Sequence, residues 1–263
     1  MPREIAFRPG IGATAQIEVG RELQVSRITV ERPALIVVRK GKKRLSCGTR
    51  EWVVGAGEAV AVAGGSTFDA TDTPATTGPY EAAWLSFDPL LVAEYPVVGE
   101  NVAEIRGPLK IAPMESPFRE AFERAVETIR DPGRLPQSIA VARMREVLAW
   151  LGVAGGRFVV SPVLSTSTRA RHLIATNPAQ EWDAAAVASQ LAMSEPTLRR
   201  RLSAEGGSFR DLLTEVRMSR ALILLQSTEV PIVQVALAVG YESPSRFAAR
   251  FKVRFGSSPS DFR

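Results

Sequence analysis

The fold is decided by the sequence PIVQVALAVGYESPSRFAARFKVRFGSSPSDFR (231–263), which follows a related stretch, DAAAVASQLAMSEPTLRRRLSAEGG (183–207). In each copy a small residue, Ala188 or Ala236, stands among apolar residues and is followed by a short turn and an apolar pair four residues apart. Two helices that cross at a steep angle show this pattern, and helix-turn-helix motifs use it to hold a second helix in the major groove of DNA. Two copies in one chain are far more specific evidence than one.

The apolar pair defines the buried side of the second helix in each copy. Leu198 and Leu202 form this pair in the first copy, and Phe247 and Phe251 form it one residue later in the second. The second turn is therefore predicted to be one residue longer. Helical geometry then separates the residues of each second helix into buried and outward-facing sets.

The outward-facing residues are predicted to contact DNA. Arg199 and Arg200 are the best predicted base contacts, because an arginine can pair bidentately with guanine. Arg246 is the long outward-facing side chain of the second copy, and Arg201 and Arg250 lie at edges that suit phosphates. A merely solvated arginine-rich face remains the alternative for each of them. The predicted contacts are Ser194, Glu195, Pro196, Thr197, Arg199, Arg200, Arg201, Ser203, Ser243, Pro244, Ser245, Arg246, Ala249, Arg250 and Lys252.

Serines mark the helix starts in this part of the chain. Ser194 and Ser243 each stand shortly before or next to a proline, at positions that suit a cap on the first helical turn. Ser208 and Asp211 resemble a capping box at the start of a helix over 209–226. A helix of that length would span roughly 27 Å. It could hold two motifs about one DNA turn, near 34 Å, apart.

Residues 165–263 resemble the DNA-binding domain of the AraC/XylS family of bacterial transcription regulators. The resemblance rests on both motifs, on Arg217, Ala221 and Leu225, and on the closing pattern VALAVGYESPSRFAARFKVRFGSSPSDFR. It implies an all-α domain whose parts are motif one at 183–205, a linker helix at 209–226 and motif two at 231–255.

Two residues depart from the pattern of that family. Ala192 takes a turn position where glycine is frequent, and Ala249 takes a groove-facing position where a longer polar residue is frequent. The second departure predicts that motif one dominates sequence specificity and that motif two mainly grips the backbone.

The N-terminal half has a different sequence pattern from about residue 33 to residue 87. Short β-type runs are separated by glycine and proline turns, which predicts a small antiparallel barrel or sandwich. The runs are ALIVVRKG (34–41), KRLSC (43–47), REWVVGAG (50–57), EAVAVAGG (58–65) and YEAAWLSF (80–87). Their order resembles the cupin-like sensor domain of many AraC/XylS members, over about 30–110.

Ligands of this domain are constrained by its composition. Many cupins bind a metal through histidines, but no histidine precedes His172, so neither a metal nor another cofactor is expected. Trp52, Phe68 and Trp84 are the candidates for lining an apolar ligand site, with plain core packing as the alternative. The basic residues at 40–44 suit an anionic head group, although a solvated hairpin tip is the simpler interpretation.

Two amphipathic helices are predicted after the strands. One begins at Ser116 and ends before Asp131, and the other covers 138–153. They suit packing on the barrel or a homodimer interface through 116–153, and both uses stay open. A polar linker is predicted from Gly155 to Ser167. The predicted sensor domain is 1–157.

Composition limits the function classes further. Cys47 is the single cysteine, which excludes an intramolecular disulfide, and the single histidine leaves little room for histidine-based catalysis. No apolar run approaches the ~18 residues of a membrane span, and the start of the chain lacks a secretory signal, so a cytoplasmic protein is expected. Residues 161–263 carry 13 Arg and Lys against 9 Asp and Glu, a surplus that suits a polyanion.

The expected protein is therefore a two-domain transcription regulator and not an enzyme, with no catalytic residues. It joins a mainly β cupin-like barrel and two helices to an all-α tandem helix-turn-helix domain. Its expected partners are double-stranded promoter DNA and, from the resemblance, RNA polymerase, with activation as the family's usual mode. A small-molecule effector or a regulatory protein would act on the N-terminal domain. The alternatives are a cupin-type enzyme with an appended DNA-binding tail and a nonspecific architectural protein.

Overall fold

The computed structural model describes residues 5–95, 102–159 and 165–262. The chain divides into two compact units, Met1–Val160 and Ser161–Arg263. Each unit has its own secondary-structure class, so the two are described separately.

The N-terminal unit is built mainly from antiparallel strands. One sheet has the order β1-β2-β9-β4-β7-β11 and a second has the order β3-β8-β5-β6, while β10 and β12 form a short parallel pair. The strands are β1 (Ala6–Arg8), β2 (Gly12–Val19), β3 (Leu23–Thr29), β4 (Ala34–Lys40), β5 (Lys42–Cys47), β6 (Arg50–Gly55), β7 (Ala59–Val62), β8 (Thr67–Thr73), β9 (Tyr80–Phe87), β10 (Ala103–Glu104), β11 (Leu109–Ile111) and β12 (Gly156–Arg157).

Helices cover the outer face of the first sheet. They are α1 (Pro89–Ala93), α2 (Ser116–Arg130) and α3 (Gln137–Val153). Alternate residues of β9 face them, because successive side chains of a strand point to opposite faces. Leu85 and Phe87 join Phe122 of α2 and Met144 and Leu151 of α3 in one buried cluster. The apolar stripes of α2 and α3 are thus used for packing on the sheet.

The mainly β fold and both helices agree with the prediction, but several strands and the start of the linker differ from it. The strands that were not predicted are β1, β2, β3, β8, β10, β11 and β12. β2 (GATAQIEV) is rich in Ala, Thr and Gln, and β3 carries a bulge between Val25 and Ile28 that breaks the alternation. The predicted linker is also wrong at its start, because Gly156 and Arg157 pair with β10. Residues 160–164 of that linker lie outside the described residues.

Among the basic residues at 40–44, Lys40, Lys42 and Arg44 are exposed, as expected of a solvated tip, whereas Lys43 is buried. Lys43 is 5% exposed and its ammonium group forms an ion pair with the carboxylate of Asp72, which is 2% exposed. The ammonium group also lies 5.4 Å from the ring centroid of Tyr80, which belongs to the other sheet. Burial and the Asp72 carboxylate raise the pKa of Tyr80 well above its ordinary value. The strand alternation of KKRLSC, which buries Lys43 and Leu45, accounts for the inward position of Lys43.

The C-terminal unit is helical in its described part. Its helices are α4 (Thr166–Thr176), α5 (Ala184–Gln190), α6 (Glu195–Ala204), α7 (Phe209–Ser227), α8 (Ile232–Ala238), α9 (Pro244–Phe255) and a closing 3-10 helix (Pro259–Phe262). The predicted linker helix is therefore confirmed as α7. Helix α4, which precedes the first motif, was not predicted.

The predicted helix caps are present as well. The hydroxyl oxygens of Ser194, Ser208 and Ser243 accept hydrogen bonds from the backbone N–H groups three residues later. Each bond satisfies a donor that has no partner within the helix.

Candidate DNA-binding surface

The turns of the two helix-turn-helix motifs are closed by equivalent backbone hydrogen bonds. In the first, the N–H of Met193 donates to the carbonyl of Ala188 at 3.0 Å, and in the second the N–H of Tyr241 donates to the carbonyl of Ala236 at 2.9 Å. Residues 191–194 join α5 to α6, whereas residues 239–243 join α8 to α9. The second turn is one residue longer, as predicted.

The two turns differ at their left-handed residue. Ala192 has a φ of 55° and the equivalent Gly240 has a φ of 80°. Ala192 is exposed, so its methyl group has room. A Cβ atom at Gly240 would lie 2.7 Å from the guanidinium of Arg217 and 3.0 Å from the carbonyl oxygen of Pro178. Crowding therefore requires glycine in the second turn but not in the first.

The outer face of α6 carries the predicted contacts of the first motif. Leu198 and Leu202 are buried, and Arg200 and Ser203 are exposed on the opposite side. Arg199 is also exposed, but its Nε donates to Oε1 of Glu195 at 2.8 Å. Arg200 and Arg201 extend from the same helix without a hydrogen bond or ion pair among those found in the described residues. Arg200 is thus the freer of the two predicted base contacts.

The outer face of α9 has a different chemistry. Phe247 and Phe251 are fully buried, while Arg246, Ala249 and Val253 are exposed on the other side. Val253 is 83% exposed, the most of the large apolar side chains among residues 165–262. The sequence interpretation missed Val253, although its spacing of four from Ala249 places it on the same outward face.

Two further side chains connect the elements of this unit. Arg217 of α7 donates to the carbonyl oxygens of Pro178 and Gln180, both at 3.0 Å, and its guanidinium carbon lies 5.9 Å from the Tyr241 ring centroid. Burial lowers the pKa of Arg217. Burial also raises the pKa of Tyr241 against the opposing influence of that arginine.

Glu205, at the end of α6, caps the start of α4. Its two carboxylate oxygens accept the N–H groups of Thr166 and Ser167 at 2.9 and 2.8 Å. Partial burial raises the pKa of this carboxyl, but hydrogen bonds from Ser167, Thr166 and Ser165 lower it more, and the net shift is downward. A carboxylate is also favoured by the partial positive charge of a helix N-terminus.

The predicted ligand-lining aromatic residues lie on three different strands of the N-terminal unit. Phe68 on β8 is 5% exposed, while Trp52 on β6 and Trp84 on β9 are half-buried. The Arg50 guanidinium lies 5.0 Å from the Trp52 ring centroid. A small cavity of about 30 Å³ lies elsewhere, with Leu148, Leu151 and other residues in its lining. That space suits two or three water molecules, since each needs about 10–15 Å³.

Within residues 5–95, 102–159 and 165–262, no group of three or more His, Cys, Asp or Glu side chains is arranged to hold a metal ion. No helix in the described ranges is both long and apolar enough to cross a membrane.

The fold and the paired motifs define a class of protein, the helix-turn-helix DNA-binding proteins. A family model described as a helix-turn-helix domain matches residues 187–263, and one described as the AraC-type transcriptional regulator N-terminus matches residues 19–154. Since the second match covers more than half of the chain, the chain belongs to the AraC/XylS family of transcription regulators, as predicted.

Similar proteins of known name match the C-terminal part. The transcriptional regulator GadX of Escherichia coli O6:H1 is 42% identical over 96 residues, which are 36% of this chain and 35% of that protein. The urease operon transcriptional activator of Escherichia coli is 39% identical over 92 residues, 35% of this chain and 31% of that protein. The chain thus spans about a third of the length of these relatives.

A solved structure matches almost the whole fold. The fatty-acid-bound ToxT of Vibrio cholerae strain SCE256 aligns over 95% of this chain and 93% of its own, with a TM-score of 0.68 and 15% sequence identity. The likeness confirms the predicted fold class, a mainly β N-terminal domain with a helical DNA-binding domain.

Proposed function

We propose that this protein binds specific promoter DNA through both helix-turn-helix motifs and activates transcription. The observation that carries the proposal is the duplicated turn, with the same hydrogen bond in both copies and an exposed outer face on each following helix. α7 has 19 residues and would span about 28 Å, close to the ~34 Å between successive major grooves on one side of DNA. The name of the urease activator supports activation over repression.

The first motif selects the sequence, and the second mainly holds the backbone. Arg200 and Arg199 on α6 are proposed to pair with guanine edges, and Thr197 and Ser203 flank them. On α9, Arg246 offers one long polar contact, with Ala249 and Val253 forming an apolar strip beside it. Arg201, Arg250 and Lys252 are proposed to bind phosphates.

The serines and Glu195 have supporting roles in this scheme. Ser194 and Ser243 already accept backbone N–H groups, so they orient the two helices while their exposed edges face the DNA backbone. Glu195 holds Arg199 at 2.8 Å in the free protein. Pairing of Arg199 with a base would require this ion pair to break, or the side chains of Arg199 and Glu195 to turn together.

Selection from random DNA tests the proposal. The full-length chain is incubated with a pool of random duplexes, and the bound fraction is sequenced over several rounds. Two enriched boxes with centres about 10–10.5 base pairs apart are expected, the better defined box being that of motif one. Binding should also weaken steeply as salt rises, because phosphate contacts release counterions. Enrichment of no sequence would contradict specific binding. A single box whose affinity is unchanged when the flanking DNA is removed would contradict binding through both motifs.

The N-terminal unit is proposed to receive the signal. The ToxT structure was solved with an unsaturated fatty acid, which supports an apolar effector with an anionic end as the first class to test here. Trp52, Phe68 and Trp84 stay the proposed lining residues. Mass spectrometry of solvent extracts from the purified protein should reveal a bound small molecule. If the protein carries no ligand and a protein partner changes its DNA binding, control by a regulatory protein is favoured.

Partners other than DNA follow from the proposed role. An activator at a promoter acts on RNA polymerase, and access to promoter DNA implies a cytoplasmic protein. A homodimer through 116–153 would use the outward faces of α2 and α3, since their apolar stripes are buried against the sheet. Sedimentation over a range of protein concentrations tests for this dimer. An enzyme with a DNA-binding tail is the disfavoured alternative, because the relatives are named as regulators.

A further inference from the structure

We propose that Arg217 fixes the spacing between the two DNA boxes by holding the two motifs in one relative position. The inference rests on the proposed function, in which both motifs bind one stretch of DNA. Arg217 is a positioning residue in this account, because it acts through both motifs and is not itself proposed to contact DNA.

Arg217 connects the entry to the first motif with the turn of the second. It extends from α7 and donates to the carbonyl oxygens of Pro178 and Gln180, which lie in the segment leading into α5. Its guanidinium also lies against the ring of Tyr241, a residue of the turn between α8 and α9. One side chain of α7 therefore contacts two other elements of the unit.

The geometry around Arg217 leaves little freedom. A planar guanidinium that forms two hydrogen bonds and covers an aromatic ring is held in both position and orientation. Tyr241 is fixed in turn, since its ring meets that of the buried Phe247 of α9 at 5.8 Å. A contact chain thus runs from the loop at 178–180, through Arg217, to the second recognition helix.

Gly240 shows how closely the two motifs approach at this point. A Cβ atom there would lie 2.7 Å from the guanidinium and 3.0 Å from the carbonyl oxygen of Pro178. Motif two is therefore packed against the segment that leads into motif one and not only joined to that motif through α7. A lysine at 217 would keep the charge but could not reproduce both hydrogen bonds and the stacking.

Such a contact has a defined consequence for DNA binding. Two modules joined rigidly gain affinity when their boxes match the fixed spacing, and lose it when the boxes are shifted. A looser joint lowers the affinity for the correct spacing and reduces the penalty for a wrong one. Each motif alone should bind its own box as before.

The experiment uses the DNA sequence selected by the full-length protein. Affinity is measured by fluorescence anisotropy for the intact site, for a half site that ends after the first box, and for sites with one base pair inserted or removed between the boxes. The variants are Arg217→Met, Arg217→Lys and Tyr241→Leu. Arg210→Met is the matched control, because it removes an exposed positive charge from the same helix.

Arg217→Met should bind the intact site at least about tenfold more weakly, with half-site affinity unchanged within about twofold. The loss on inserting one base pair should be smaller than in the wild type. Arg217→Lys and Tyr241→Leu should show weaker versions of the same pattern, and Arg210→Met should alter intact and half-site binding by one common factor.

An equal loss on intact and half sites, or an unchanged insertion penalty, would overturn the proposal. If circular dichroism shows that Arg217→Met is unfolded, the affinities of Tyr241→Leu for the intact and half sites test the proposal instead. Failure of the proposed function is distinguishable, because the wild-type protein would then select no paired boxes at all.

Discussion

Ala192 and Gly240 occupy the same position in the two turns and share a left-handed backbone, with φ values of 55° and 80°. An L residue is disfavoured in this conformation by roughly 1–2 kcal/mol, whereas glycine adopts it readily. The first turn is thus strained at an exposed alanine. The second turn has the glycine that its crowded surroundings require.

Ala192→Gly should therefore stabilise the C-terminal unit by about 0.5–1 kcal/mol, because relief of the strain exceeds the entropy cost of glycine. Chemical denaturation of the variant and the wild type measures the difference. Ala185→Gly is the matched control, since Ala185 is exposed within α5, and it should destabilise the unit by about 1 kcal/mol. Equal destabilisation by both substitutions would argue against the strain.

Val253 should contact a thymine methyl group when α9 lies in the major groove. Replacing thymine by deoxyuridine in the second box removes only that methyl group, and the wild-type protein should lose about threefold in affinity at the contacted position. Val253→Ala should be nearly insensitive to the replacement. Val233→Ala, a similar change on the exposed face of α8, should respond as the wild type does. Equal sensitivity of Val253→Ala and the wild type would disprove the contact.

Glu205→Gln should loosen the start of α4 in a pH-dependent way. The pKa of this carboxyl is lowered from its ordinary value of 4.5 in the folded protein, so its contribution is present above that value and is lost as the pH falls through the folded pKa. At pH 7 the amides of Thr166 and Ser167 should exchange hydrogen about fivefold faster in the variant, which corresponds to roughly 1 kcal/mol in an exposed setting. The ratio of the two exchange rates should approach one well below pH 4.5. A ratio independent of pH would show that the charge does not matter.

Removal of one partner from the buried pair of Lys43 and Asp72 should be costly. Lys43→Met leaves a carboxylate without its partner, and the N-terminal unit should lose about 3–5 kcal/mol of stability. The double variant Lys43→Met with Asp72→Leu should recover most of that loss, because two apolar side chains fit the interior between the sheets. Thermal unfolding of the single and double variants gives the comparison. Additive losses would mean that the pair is not coupled.

The parts predicted well from the sequence have strong local signals. The repeated turn, the capping serines and the apolar pairs at 198 and 202 or 247 and 251 are all short-range patterns, and they are confirmed by α5 to α9. β2 and β3 were missed because alanine, threonine and a bulge weaken the alternation that identifies strands.

Short-range sequence patterns do not predict tertiary contacts. The link from Arg217 to the loop at 178–180 and to Tyr241 depends on how separate helices pack. The burial of Lys43 follows from its strand register, and a basic run in the sequence suggests exposure instead. The proposed DNA contacts are predicted from helix geometry alone and stay predictions until they are tested.

The measurement that tests the central claim most directly is the specificity of the Arg200→Ala protein. Its affinity is compared for the selected site and for random DNA of equal length, at one salt concentration. If Arg200 pairs with a base, the ratio of the two affinities should fall at least about fivefold while binding to random DNA changes little, since a bidentate arginine contributes about 1–3 kcal/mol of discrimination. Arg210→Ala should keep the wild-type ratio. An Arg200→Ala protein that also keeps it would contradict sequence recognition by the first motif through this residue.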